Sequence, residues 1–172
     1  MHPGELLTRI TIWIALSLYA VGAGLLLVAR GQLPRLLAAR AAWTVGCLFF
    51  IAHVVSAFHF YHRWSHADAF EETARQTAEM TGFRSGSGLY LNYLFGAVWL
   101  GAVAWWWLAP ATFLRRPRWV STAWNAFVLF MIFNGTVVFG NGPVRWLGVA
   151  ICGALVFLWW RQRARSGASP GT

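Results

Sequence analysis

The sequence predicts an all-α integral membrane protein: a bundle of five transmembrane helices with one further helix on its outer surface. Of the 172 residues, 58% are hydrophobic and only 11% are charged, a composition that water-soluble domains rarely reach. The apolar residues are gathered into stretches of about 20, the length that crosses ~30 Å of hydrocarbon. These stretches cover 10–29, 41–62, 88–108, 122–140 and, slightly short, 144–160.

The arginines predict the orientation of these helices. Nine of them follow the first, third and fifth stretches, where there is no acidic residue: Arg30, Arg35, Arg40, Arg115, Arg116, Arg118, Arg161, Arg163 and Arg165. The other connections carry five arginines and all five acids, so their charges cancel. The positive-inside rule assigns the basic connections to the cytoplasm, which places the N-terminus outside and the C-terminus inside.

This distribution also accounts for the net charge of +9. The arginines flank membrane spans, so we expect a lipid bilayer as the partner and no nucleic acid. The expected location is a bacterial-type plasma or inner membrane. No cleavage signal follows the first stretch, which is therefore predicted to remain as an anchor. One transmembrane domain is expected over 1–165, with a small, polar, disordered tail over 166–172.

A sixth helix is predicted between the second and third spans, over 66–81. Ser65 followed three residues later by Asp68 resembles the start of a capping box, and Gly82 is a suitable helix stop. The i,i+4 pairs of Glu71 with Arg75 and of Arg75 with Glu79 favour a water-exposed face.

The histidines just before this helix suggest a metal site. If the helix ran on unbroken, His59, His62 and His66 would lie within ~60° of one another, and histidines at i,i+3 or i,i+4 can chelate one ion. Glu71 or Glu72 can complete such a site, and this ligand set suits zinc, iron or copper. Two other interpretations are a helix end that hydrogen-bonds headgroups and water, and a role in proton handling or substrate contact.

His53 is a separate case, because it lies ~15 Å inward from Arg63, where an ionisable side chain suggests function. Counting inward from Ile10, Tyr19 reaches a similar depth, so a His53–Tyr19 hydrogen bond is one expectation. Haem ligation is another, with Met131 or the histidine of a second copy as the second axial ligand. A proton path is the third.

The sequence contains no G-x-S-x-G, Walker A, Rossmann glycine string, H-E-x-x-H or Cys-x-x-Cys motif. Two hypotheses of function remain. In the first, the protein is a non-enzymatic membrane component whose outer helix packs against another membrane subunit or a second copy. In the second, the histidine and carboxylate residues hold a metal at the outer interface for redox chemistry, hydrolysis or metal handling. Haem binding and transport are less favoured, because only one span contains histidine and no broken-helix pair is present.

Overall fold

The computed structural model describes residues 3–29, 31–139 and 142–167. Within these ranges the chain is helical and contains no strand. The chain divides into two compact units, Met1–Arg116 and Pro117–Thr172, which are described separately. The helices are α1 (Pro3–Val28), α2 (Leu33–Phe60), α3 (His66–Thr81), α4 (Gly88–Leu108), α5 (Pro110–Leu114), α6 (Arg118–Phe133) and α7 (Pro143–Gly167).

In the first unit, α1 and α2 form an antiparallel hairpin whose residues pair along its whole length. Two glycines allow the backbones to approach closely. A Cβ atom at Gly22 would lie 3.2 Å from the Ala39 carbonyl oxygen, and one at Gly46 would lie 3.2 Å from the Ala15 carbonyl oxygen. Helix packing in membranes commonly relies on such small residues. At the connection, Arg35 Nη1 donates to the Val28 carbonyl oxygen at 2.8 Å, which satisfies a carbonyl at the end of α1.

Helix α1 begins at Pro3 and not near residue 10, where the apolar stretch starts. Its first turns carry Glu5 and Arg9, which form an i,i+4 ion pair at 2.8 Å. Such a pair supports a helix without requiring apolar residues, so apolar composition alone underestimates the length of α1. Because α1 starts seven residues earlier than predicted, each of its residues lies further from the start of the helix than the prediction placed it.

The surface helix α3 and the third span α4 have the predicted bounds, 66–81 and 88–108. The Ser65 hydroxyl accepts a hydrogen bond from the Asp68 amide at 3.1 Å, and Gly82 ends α3 in the left-handed conformation with φ of 74°, which glycine adopts without strain. Phe70 of α3 packs against Tyr90 of α4, with 5.9 Å between ring centroids. The short helix α5 was not predicted.

The core of the first unit is aromatic. Trp99 is fully buried and contacts Tyr19, Phe50 and Phe95, with ring centroids at 5.7, 5.8 and 5.4 Å. The core continues through Trp43, Trp106 and Phe113. These rings lie one or two helical turns nearer the end where α2 begins and α4 ends. These rings join α1, α2, α4 and α5 into one packed body.

In the second unit, α6 continues into a π-helical turn, Asn134–Val138, and α7 follows. The described residues contain four helices long and apolar enough to cross a membrane: Gly4–Leu26, Leu33–Phe60, Gly88–Leu108 and Arg118–Val138. Helix α7 is long, but its apolar part, Gly148–Arg161, is shorter than the other four. The fifth predicted span is therefore not confirmed by length and composition.

Two sequence predictions fall at or beyond the edge of the described residues. Residue 140, the end of the predicted fourth span, lies outside them. So do residues 168–172 of the predicted tail. The first two residues of that tail, 166–167, form the end of α7. The expectation of one domain over 1–165 stays a prediction.

Candidate functional site

All five carboxylates of the chain belong to one end of the first unit, where α1 starts, α2 ends and α4 starts. Among the described residues, His59, His62 and His66 lie at the same end. We call residues 61–93 the polar platform: the turn after α2, the helix α3, the connection that follows it and the first turns of α4. Antiparallel packing of successive helices brings these segments together.

The predicted continuous histidine face does not form, because α2 ends at Phe60. Arg63 and Trp64 adopt left-handed backbone conformations, with φ of 48° and 63°, which no residue of an α-helix can have. The Trp64 amide donates to the Phe58 carbonyl oxygen at 3.1 Å, and the Ser65 amide donates to the His62 carbonyl oxygen at 2.7 Å. These bonds turn the chain sharply, so His59, His62 and His66 belong to three different local structures.

Each histidine then has its own neighbours. His59 lies at the end of α2, with its ring 4.8 Å from Phe60. His62 lies in the turn, with its ring 5.6 Å from Phe58. His66 opens α3, and its Nδ1 is 3.1 Å from the hydroxyl of Tyr93 in α4. The three rings contact aromatic side chains and do not converge on one point.

The carboxylates of α3 are engaged by arginine. Arg75 donates to Glu72 at 2.6 and 3.0 Å and to Glu79 at 2.5 Å. Arg84, in the connection after α3, pairs with Glu71. The two carboxylates that the sequence suggested as metal ligands are thus partners of guanidinium groups, which compete with a metal ion for the same oxygens.

The described residues contain no group of three or more His, Cys, Asp or Glu side chains placed to hold a metal ion. The structure therefore does not support the site predicted from His59, His62, His66, Glu71 and Glu72. The physical reason is the turn at Arg63 and Trp64, which ends the helix on which that prediction depended.

The ion pair of Glu72 with Arg75 predicts that the stability of α3 depends on pH. Hydrogen bonds from Arg75 are the main reason why the pKa of Glu72 lies below its ordinary value of 4.5, and Gln76 and the charges of Arg75 and His62 act in the same direction. A carboxyl group with a lowered pKa in the folded state stabilises that state above the ordinary value, and the stabilisation is lost as the pH falls through the lowered pKa. We expect α3 to loosen below pH 4.5.

Hydrogen exchange of the α3 amides, corrected for the intrinsic pH dependence, measures this loosening. Because the pair is largely exposed, the change should be a few-fold at most. In Glu72→Gln the acid-dependent part should become smaller, whereas Glu5→Gln, which removes the separate ion pair of α1, should leave α3 unchanged. Equal acid loosening in Glu72→Gln and the parent protein would contradict the assignment.

The structure gives His53 a different partner from the one predicted. Its Nδ1 lies 2.9 Å from the Thr8 carbonyl oxygen, and since a carbonyl only accepts, Nδ1 donates and a neutral ring keeps its lone pair on Nε2. Tyr19 lies further along α1 and packs on Trp43 at 5.3 Å. The expected His53–Tyr19 hydrogen bond was misplaced because α1 starts at Pro3, which puts Thr8 and not Tyr19 opposite His53.

The haem prediction stays a prediction. His53 belongs to the first unit, whereas Met131 lies in α6 of the second. The hydrogen bond from Nδ1 leaves Nε2 as the atom of His53 that can bind an iron.

Tyr90 and Tyr93 were not predicted as site residues, and their rings lie 5.8 and 5.9 Å from His66. A signal for them exists in the sequence. They are spaced i,i+3 at the start of a predicted span, so they share a helix face at the end of the bundle that also holds His66. Both side chains are exposed.

The platform also presents large apolar side chains to the surroundings. Trp64 is 61% exposed and Phe83 is 72% exposed, and Tyr61 and Met80 are exposed as well. All four lie outside the apolar helices that are long enough to cross a membrane. Comparison with known proteins adds no relationship: the chain matches no family model, and no curated protein or solved structure is significantly similar to it.

Proposed function

We propose that this protein is a non-enzymatic membrane component that binds another membrane protein through its polar platform. The observation that carries the proposal is the contrast within the platform. Three of its carboxylates, those of Glu71, Glu72 and Glu79, are paired with Arg84 or Arg75, whereas Trp64 and Phe83 are exposed. Exposed apolar side chains with a polar rim are typical of surfaces that bind a partner.

The construction of the platform favours a preformed binding surface. Ser65 caps α3, Phe70 anchors it to Tyr90, and a Cβ atom at Gly86 would lie 2.7 Å from the Phe70 ring. The turn is held by backbone hydrogen bonds although Arg63 and Trp64 are in a conformation that costs free energy for residues other than glycine. A surface that is ordered before binding loses less entropy when the partner arrives.

The proposal includes a topology. Five spans, an outer N-terminus and a cytoplasmic C-terminus put the platform on the outer face, because the uncompensated arginines lie on the other side. In this arrangement α7 crosses the membrane although its apolar part is short, which the helix can accommodate through tryptophan and arginine at its ends, Trp146, Trp160 and Arg161.

Impermeant maleimide labelling of single cysteines tests the topology in a chain with Cys47→Ala and Cys152→Ala. We expect Phe83→Cys and Trp146→Cys to react in intact cells, and Leu114→Cys and Arg161→Cys to react only after permeabilisation. Reaction of Arg161→Cys from the same side as Trp146→Cys would show that α7 does not cross. Reaction of Leu114→Cys but not of Phe83→Cys in intact cells would show that the topology is the inverse of the proposed one.

Site-specific photocross-linking in the native membrane tests the binding function. A photoreactive phenylalanine analogue at position 83 or 64 should give one discrete protein adduct. The same analogue at position 100, where Leu100 is half-exposed on the apolar length of α4, should give none. An adduct of twice the chain's own mass would identify a second copy as the partner. Absence of any adduct at both platform positions would contradict the proposal.

A further inference from the structure

The opposite end of the first unit carries arginines without carboxylates. Arg35, Arg40, Arg115 and Arg116 lie there, near the start of α2 and the end of α5. Every aspartate and glutamate of the sequence lies on the platform or in the first turns of α1. None of the described carboxylates is near enough to neutralise these four guanidinium groups.

Two of the four arginines are held against aromatic rings. The guanidinium carbon of Arg40 lies 4.0 Å from the centroid of the Trp107 ring, and that of Arg116 lies 4.2 Å from the centroid of the Phe113 ring. Both side chains are half-buried. Stacking on a ring fixes the plane of a guanidinium group while leaving its edge donors available.

The two stacked arginines lie on aromatic rings at the same end of the first unit, where α2 begins and α4 ends. Trp107 follows directly on Trp106, and Trp106 stacks on Phe113 with 4.5 Å between centroids and 13° between planes. Trp43, one turn beyond Arg40 on α2, contacts both of these rings. The indole of Trp107 donates to the Thr44 hydroxyl at 3.0 Å, which fixes the ring under Arg40. We call Arg40, Trp107, Phe113 and Arg116 the arginine–aromatic site.

Burial makes an anionic partner especially favourable for Arg116. Burial lowers the pKa of its guanidinium. Arginine nevertheless remains protonated in proteins. Its Nη1 donates to the Phe113 carbonyl oxygen at 2.8 Å, which leaves further N–H groups for a charged acceptor. A half-buried cation is costly unless it is paired, and none of the Asp and Glu side chains that the structure describes lies at this end.

We propose that the arginine–aromatic site binds anionic lipid headgroups, with Arg40 and Arg116 each contacting phosphate oxygens. A guanidinium fork matches phosphate geometry. The site lies beside the ends of two membrane-spanning helices, where tryptophan sits at headgroup level. Basic side chains at that level attract anionic lipids, each by about 1 kcal/mol. In the topology proposed above the site faces the cytoplasmic leaflet, but its chemistry does not depend on that orientation.

Native mass spectrometry of the full chain in detergent, titrated with defined lipids, measures this binding. Phosphatidylglycerol and phosphatidylcholine of identical acyl chains are the probes, since both carry a phosphate but only the first is anionic. We expect phosphatidylglycerol to bind more tightly to the parent protein. Arg116→Gln and Arg40→Gln should each reduce that preference about fivefold.

Two control variants match the charge change without touching the site. Arg35→Gln removes a neighbouring arginine that serves the Val28 carbonyl, and Arg9→Gln removes one at the other end. Arg9→Gln should keep the preference, and Arg35→Gln should lower it less than Arg116→Gln does, because Arg35 already donates to the Val28 carbonyl. Arg116→Lys should keep part of it, because the charge remains and the planar fork is lost. Because Arg40 and Arg116 lie on different segments, misfolding of one variant leaves the other as a test.

Three outcomes would overturn the proposal. Equal binding of the two lipids by the parent protein would show that the site does not select anionic lipid. An equal loss in Arg35→Gln and Arg116→Gln would show a general charge effect without a defined site. Competition by millimolar inorganic phosphate, with loss of the lipid preference, would identify a site for a free anion instead of a lipid.

Discussion

Trp99→Ala is expected to destabilise the first unit by about 3–5 kcal/mol, the usual cost of removing a buried large aromatic side chain. Trp99 has no exposed surface and contacts rings from α1, α2 and α4. In a bilayer, helices associate through such packing, because lipid chains are as apolar as the side chains themselves. Deletion of the indole leaves a cavity that α1 and α2, already in backbone contact, cannot close.

Unfolding in mixed micelles, titrated with sodium dodecyl sulfate, measures the loss. Trp107→Ala is the matched control: it removes the same side chain from the same helix, but Trp107 is half-exposed. It should cost far less, through one hydrogen bond and one cation–π contact. A loss in Trp99→Ala no larger than in Trp107→Ala would show that the aromatic core does not hold the helices together.

Gly46→Leu is the second substitution with a large expected effect. A Cβ atom at this position would lie 3.2 Å from the Ala15 carbonyl oxygen and 3.3 Å from both Leu18 Cβ and Trp99 Cζ2. A single methyl group is already tight there, and the four carbons of leucine have no space. Overpacking of this kind costs about 1–3 kcal/mol and forces neighbouring helices apart.

Gly101→Leu provides the control, because nothing lies within 4 Å of a Cβ atom at Gly101. That variant should keep or slightly raise the free energy of unfolding, since leucine has the higher helix propensity. Both variants replace a helical glycine with leucine, so a difference between their free energies of unfolding reports the contacts around each glycine. Equal stability of both variants would contradict the close approach of α1 and α2.

The local signals in the sequence were sufficient for some elements. The bounds of α3 follow from the Ser65 cap and the Gly82 stop, and those of α4 from one uninterrupted apolar run. The start of α1 could not be found in this way, because a charged first turn resembles a loop in composition. The histidine site failed for a related reason. The site required an unbroken helix through Arg63 and Trp64. Both residues adopt a left-handed conformation, which neither residue type predicts.

Composition and the placement of charge by themselves determined that this is a helical membrane protein whose acids and nine of whose arginines belong to different connections of the chain, because hydrophobicity and charge are properties of single residues. Only the tertiary structure decided which groups meet: His53 with Thr8, His66 with Tyr93, Arg40 with Trp107, and Arg116 with Phe113. These contacts depend on where helices begin, where they turn and how antiparallel neighbours are aligned. A shift of a few residues in one helix start, as in α1, changes the partner of every side chain along it.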